Sequence, residues 1–231
     1  MRAAVIVFPG SNCDKDCQRA FAQVTGIEPD LVWHKENQLP NYDIVILPGG
    51  FSFGDYLRTG SIAQFSPVMD EVKRLAEYGS KIIGICNGFQ ILTEAGLLPG
   101  ALLRNRDLNF ICKDHFIKVE NTQTAFTHHY HDHANQVVRL PIAHAEGNYH
   151  IDDVGYQQLE ARNGVIFRYC SEQVECDDAS NPNGARANIA GIINEKGNVL
   201  GMMPHPERMV SDLLGGTDGM GVFLSMVNER S

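Results

Sequence analysis

Basic charge is scarce in this sequence: 19 Lys and Arg face 28 Asp and Glu, for a formal net charge of -9 and a pI near 5.4. A surface of that sign repels phosphate backbones, so nucleic acid is not an expected partner, and ordinary solubility accounts for the acidity. Long apolar runs are missing as well. The N-terminal stretch 3–8 is too short for a signal-peptide core or a bilayer span, so no membrane association is expected. Compact disulfide spacing is absent: the six cysteines stand at 13, 17, 86, 112, 170 and 176. Together with the lack of an export signal, this reads as a reduced, cytoplasmic protein. No linker, repeat or low-complexity tract interrupts the chain. Its 231 residues, 43% of them hydrophobic, suffice for one sizeable core and one domain spanning 1–231.

What is present is an alternation. Short apolar, β-rich runs at 3–8, 31–33, 44–47 and 81–85 read as buried strands. Helical patterns lie between them at 14–25, stopped by Gly26, and at 62–78, stopped by Gly79. A further helix is read at 87–95, stopped by Gly96. In the second of these, apolar residues at 62, 65, 68, 69, 72, 75 and 76 form one stripe. Strands alternating with helices imply right-handed crossovers and an α/β, three-layer fold with a mainly parallel central sheet and helices on both faces. The second half is richer in strands, expected at 116–120, 137–140, 165–169, 189–193 and 199–203, with a closing helix near 218–228. Residues 177–186, rich in Asp, Asn, Pro and Gly, read as a surface loop.

The sharpest local pattern is Gly84-Ile85-Cys86-Asn87-Gly88-Phe89-Gln90, directly after an apolar strand and directly before a helix. Gly-x-nucleophile-x-Gly in that setting is an elbow, which exposes the nucleophile on a tight strand-to-helix turn. The helix N-terminus brings backbone N–H groups beside the sulfur and favours the thiolate. A base is supplied by Pro204-His205-Pro206-Glu207. The flanking prolines bias this stretch toward an extended shape, in which Glu207 reaches the ring of His205 and fixes its tautomer. The free ring nitrogen then takes the thiol proton and later returns it to a leaving amine. Pro48-Gly49-Gly50-Phe51, again after a strand, offers an oxyanion hole: one donor from Gly50 or Phe51, the other from the Asn87 N–H.

Gly-x-Cys-x-Gly-x-Gln, an early Pro-Gly-Gly and a late His-Pro-Glu resemble the triad (class I) glutamine amidotransferases, whose fold is flavodoxin-like. The resemblance implies that Cys86 forms a γ-glutamyl thioester from L-glutamine, that His205 and Glu207 complete the triad, and that Gln90 lies near the glutamine pocket. Further segments narrow it. Phe8-Pro9-Gly10-Ser11-Asn12-Cys13, the run 49–58, Ala143-His144-Ala145-Glu146-Gly147-Asn148 and the run 201–208 are similar to the free-standing glutaminase subunits of phosphoribosylformylglycinamidine synthases. Partners implied by that resemblance are a large ATP-dependent synthetase subunit, which carries ATP and Mg²⁺, and a small bridging subunit. No Walker phosphate loop is present here, so no cofactor is expected on this chain.

His144, in a family-like segment, lines the glutamine pocket, meets the partner, or is a satisfied structural histidine. Arg58, beside the proposed oxyanion loop, is a candidate for the substrate carboxylate. Four histidines within 128–133 suggest a metal but sit in a polar turn without partners at fixed spacing, so no metal site is assigned. Cys13, Cys17, Cys112, Cys170 and Cys176 lack elbow context and read as structural or incidental. Two other readings stand beside the amidotransferase. One is a free-standing cysteine hydrolase on a similar sheet, which would lack the late His-Pro-Glu. The other is a non-catalytic regulatory module, which would have lost Cys86 or His205.

Overall fold

The short apolar runs of the first half become strands whose two faces are both covered. In β3 (Ile44–Leu47) every residue is buried, and in β1 (Ala3–Val7) and β4 (Lys81–Ile85) all but one. Such continuous apolar strands belong inside α/β layers. The protein is described by a computed structural model over residues 1–133 and 136–228. With β2 (Asp30–Trp33), β5 (Ala101–Leu103), β6 (Ile111–Val119), β7 (Val137–His144), β8 (Asn148–His150), β9 (Val165–Cys170), β10 (Ile189–Ile193) and β11 (Val199–Met202), the chain builds a nine-stranded sheet. Its order is β2-β1-β3-β4-β11-β10-β9-β6-β7, and β5 and β8 pair separately.

Strands β2, β1, β3, β4 and β11 are parallel neighbours. Beyond β11 the pairing turns antiparallel through β10, β9, β6 and β7. The α/β layered architecture expected from the alternation is therefore present, with an antiparallel wing built by the strand-rich second half. Helix α1 (Asp14–Thr25) packs beside β1 and against α5 (Met220–Val227), while α3 (Asn87–Glu94) packs over β3, β4 and β11. α1 carries Asp14 and Asp16 in its first turn and ends at Gly26, whose φ of 73° closes the last turn.

Three local readings are corrected. The helix expected over 62–78 is broken: residues Ala63–Phe65 form a short 3-10 turn and α2 is Val68–Tyr78, because Pro67 cannot continue a preceding helix. Strands β6 and β7 outrun the expected 116–120 and 137–140, since one face of the hairpin is solvated and polar residues such as Lys113 and Asp114 interrupt the apolar run. The stretch 177–186 is a surface loop only over its first three residues. Ser180, Asn181, Asn183 and Ala185 are buried, and the Asn183 amide donates to the Gly147 carbonyl at 2.8 Å. Helix α4 (Asp153–Ala161), begun by the Asp152 carboxylate accepting from the Gly155 N–H at 2.7 Å, has too weak an apolar stripe to be read from sequence.

Candidate active site

Parallel pairing sends the carboxyl ends of β3, β4 and β11 to one edge of the sheet, where open α/β sheets place ligand sites. Gly49 and Gly50 leave β3 there, Cys86 leaves β4, and His205 and Glu207 leave β11. The hairpin of the antiparallel wing closes over them. Pro141 of β7 accepts a hydrogen bond from the His205 N–H at 2.8 Å, and the Ala143 carbonyl lies 3.6 Å from the Cys86 sulfur.

Cys86 has φ 50° and ψ -104°, a strained conformation for a residue with a Cβ, of a kind that costs about 1–3 kcal/mol and clusters at functional sites. The surrounding contacts hold it there: its N–H donates to the Met202 carbonyl at 2.7 Å. A Cβ on Gly88 would stand 2.0 Å from the Leu47 carbonyl oxygen, so only glycine lets α3 start this close to β3.

Glu207 Oε1 lies 2.6 Å from His205 Nδ1, and both side chains are almost fully buried. The pair forms across the 3-10 turn Pro206–Arg208, not along an extended strand as the prolines suggested. Burial alone would strip the proton from His205. The Glu207 carboxylate and then Cys86 outweigh it, holding the imidazolium well above its ordinary range. His205 Nε2 is buried and closes no hydrogen bond, which leaves it free to pass its proton to a substrate nitrogen.

A cavity beside the sulfur is lined by Gly50, Phe51, Asp55, Thr59, Cys86, Gln90 and residues 143–146. Its floor is a hydrogen-bonded chain. The Ser52 N–H donates to Asn87 Oδ1 (3.2 Å), Asn87 Nδ2 to Gln90 Oε1 (3.0 Å), and Gln90 Nε2 to the Glu146 carbonyl (2.6 Å). Gln90 thus shapes the cavity with both ends of its amide already engaged. Two carboxylates face the space. Thr59 donates to Glu146 Oε2 at 2.5 Å, while Asp55 Oδ1 is buried without a partner. Burial, then the charge of Glu146, pushes the Asp55 carboxyl up to about 6. Paired acids in a half-buried cleft are arranged to receive a cation. Neither was picked out from sequence. Asp55 lies in a loop where Phe53, Asp55 and Leu57 all have positive φ, and no periodic pattern reports that.

His144 faces the same cavity. Its Nδ1 lies 3.1 Å from Asn105 Oδ1, and the Asn105 amide nitrogen donates elsewhere, to the carbonyls of Asn109 and His144. Nδ1 therefore carries the proton and the buried Nε2, which has no partner, presents a lone pair. Burial, then the positive charge of His205, lowers His144 to about 4 and keeps it neutral.

Two expected residues have their polar groups engaged by other partners. The Phe51 N–H donates to the Gly10 carbonyl at 3.0 Å, although the residue lines the cavity beside Gly50. Arg58 is exposed and pairs with Glu94 at 2.6 Å, outside the lining of the cavity. One residue read as incidental is drawn in. The ligand atoms of Cys13, His205 and Glu207 lie within 4.8 Å of one another, and Arg208 donates to the Cys13 sulfur at 3.0 Å. The histidines of 128–133 form no such group among the described residues.

Residues 1–215 match the family model of the CobB/CobQ-like glutamine amidotransferase domain. The phosphoribosylformylglycinamidine synthase subunit PurQ of Lacticaseibacillus casei is 57% identical over 231 residues, covering 99% of this chain and 96% of the relative. The PurQ subunit of Bradyrhizobium diazoefficiens is 54% identical over 227 residues, covering 98% and 97%. Among solved structures, a chain of PurLQS from Thermotoga maritima superposes with a TM-score of 0.85 at 46% identity, over 98% of this chain and 97% of that chain. The glutaminase domain of Trypanosoma brucei CTPS with bound acivicin, at 13% identity and a TM-score of 0.61, shares the fold alone.

Proposed function

The chain belongs to the CobB/CobQ-like glutamine amidotransferase family, and from that premise we propose that it is the glutaminase subunit of a phosphoribosylformylglycinamidine synthase. Its substrate is L-glutamine, and its product ammonia passes to a separate large subunit. The observation that carries this reading is the convergence of a strained cysteine elbow, a buried His–Glu pair and a carboxylate-lined cavity at one sheet edge.

The reaction follows from the roles available. Glutamine enters with its α-ammonium toward Asp55 and Glu146 and its carboxamide toward Cys86. The thiolate attacks the carboxamide carbon, and the oxygen takes up negative charge against the N–H groups of Gly50 and Asn87. His205 gives its proton to the nitrogen, ammonia leaves, and a γ-glutamyl thioester remains on Cys86. Neutral His205 then removes a proton from water, which attacks the thioester. Glutamate departs and the thiolate–imidazolium pair is restored. Glu207 orients the ring and stabilises its charge throughout. His144 Nε2 accepts an N–H of the bound substrate.

In the complex, the large subunit uses ATP with Mg²⁺ to activate the amide oxygen of formylglycinamide ribonucleotide, and ammonia displaces the phosphate to give formylglycinamidine ribonucleotide in purine biosynthesis. A small third subunit bridges the two. The compartment is the cytoplasm, in keeping with six free thiols; no helix among the described residues is long and apolar enough to cross a membrane. Glutamate release by the chain is expected to be weak alone, strongly stimulated by the large subunit with its ligands, and abolished by Cys86→Ala. Unchanged turnover in that variant, or full activity without the partner, would overturn the assignment.

A further inference from the structure

We propose that Cys13, Cys86 and His205 form a binding site for a soft divalent cation of the Zn²⁺ type, whose occupancy silences the nucleophile. The inhibitory consequence rests on the roles given above to Cys86 and His205; the binding itself does not.

The three side chains line one cavity of about 190 Å³, next to the acidic one. That is ample for an ion and a water, whose share of liquid volume is about 30 Å³. His205 Nε2 is fully buried and closes no hydrogen bond, while its Nδ1 is held by Glu207 at 2.6 Å. A carboxylate behind the far nitrogen of a ligating imidazole is the usual second support of a zinc-binding histidine. Ligand atoms of Cys13, His205 and Glu207 already lie within 4.8 Å of one another. That group contains two of the three proposed ligands, and Cys86 joins them as a lining residue of the same cavity. Arg208 donates to the Cys13 sulfur at 3.0 Å and fixes its place.

A bound dication would take two thiolates and a neutral imidazole as ligands, with the Glu207 carboxylate behind the ring, so binding displaces protons from the ligands. Thiolates select this class of ion over Mg²⁺ or Ca²⁺.

The test is titration of the full-length chain with Co²⁺, followed by displacement with Zn²⁺. Wild type is expected to develop thiolate-to-cobalt absorption that Zn²⁺ removes. Cys13→Ser should about halve that absorption and weaken binding at least tenfold, leaving glutamine turnover of the metal-free complex within twofold. Cys112→Ser, altering the other thiol on the cavity, should change neither. Zn²⁺ should also slow alkylation of Cys13 and Cys86, and not of exposed Cys112, in unaltered protein, which removes any dependence on how the variants fold. Absorption unchanged in Cys13→Ser, no thiolate absorption in wild type, or protection of Cys112 instead of Cys13 would overturn the proposal. None of these readouts needs turnover, so they are separate from the Cys86→Ala glutaminase assay that decides the functional reading.

Discussion

Replacing Glu207 by Gln keeps the side chain's shape and removes one charge from a pair whose nitrogen and oxygen lie 2.6 Å apart, with 2% and 0% of the two side chains exposed. The imidazolium that forms at His205 would then be buried without its counter-charge. Removing one partner of a buried pair costs about 3–5 kcal/mol, and each 1.36 kcal/mol is tenfold in rate. If that loss falls on the charged form of His205, glutaminase kcat should drop by about 10²- to 10⁴-fold. The same change has a sign in pH. Glu207 is the chief group raising His205 against its burial, so its loss lowers the proton affinity of the ring. The alkaline limb of the rate profile, where the imidazolium is lost, should move to lower pH. The assay is glutamate release by the chain with its large subunit across pH 6–10, with thermal melting as the folding control. A folded Glu207→Gln enzyme that keeps a third of wild-type activity with an unmoved alkaline limb refutes the reasoning.

Asp55→Asn should raise KM for glutamine at least tenfold with a smaller change in kcat. Wild-type KM should rise as pH falls through about 6, where Asp55 takes up a proton, while the variant stays flat. Because folding lifts the Asp55 carboxyl above its unfolded value of 3.8, this group costs stability once pH exceeds about 4, and fully so above 6. Asp55→Asn should accordingly melt higher than wild type at pH 8, with the gap closing near pH 4. Gly88→Ala, whose new methyl would meet the Leu47 carbonyl at 2.0 Å, should lose soluble expression or drop Tm by about 6 °C or more, as a clash costing over about 3 kcal/mol requires. Arg58→Ala should leave KM within twofold, since the exposed Arg58 guanidinium pairs with Glu94 outside the lining of the cavity; a tenfold rise in KM would return Arg58 to the substrate.

The parallel half of the fold was legible because its strands are continuous apolar runs bounded by glycines, and because the Cys86 elbow needs its two glycines wherever it occurs. Partners separated by the whole chain were harder. His205 and Glu207 could be paired by spacing, yet the turn that joins them differs from the extended form the prolines implied. Asp55, Glu146 and Cys13 were invisible as a group, since only the sheet order brings residues from three loops to one edge. The polar groups of Arg58 and Phe51 could not be followed from sequence for a related reason: Glu94 and the Gly10 carbonyl claim them. Pro67 was overlooked because a stripe of apolar residues continues past it.

The account turns on whether one sulfur carries the acyl group. The direct measurement is mass spectrometry of the acid-quenched complex after mixing with glutamine, peptide by peptide. One γ-glutamyl group is expected on the peptide holding Cys86, absent in Cys86→Ala together with all glutamate release. Finding that group on Cys13, or turnover that survives Cys86→Ala, would contradict it.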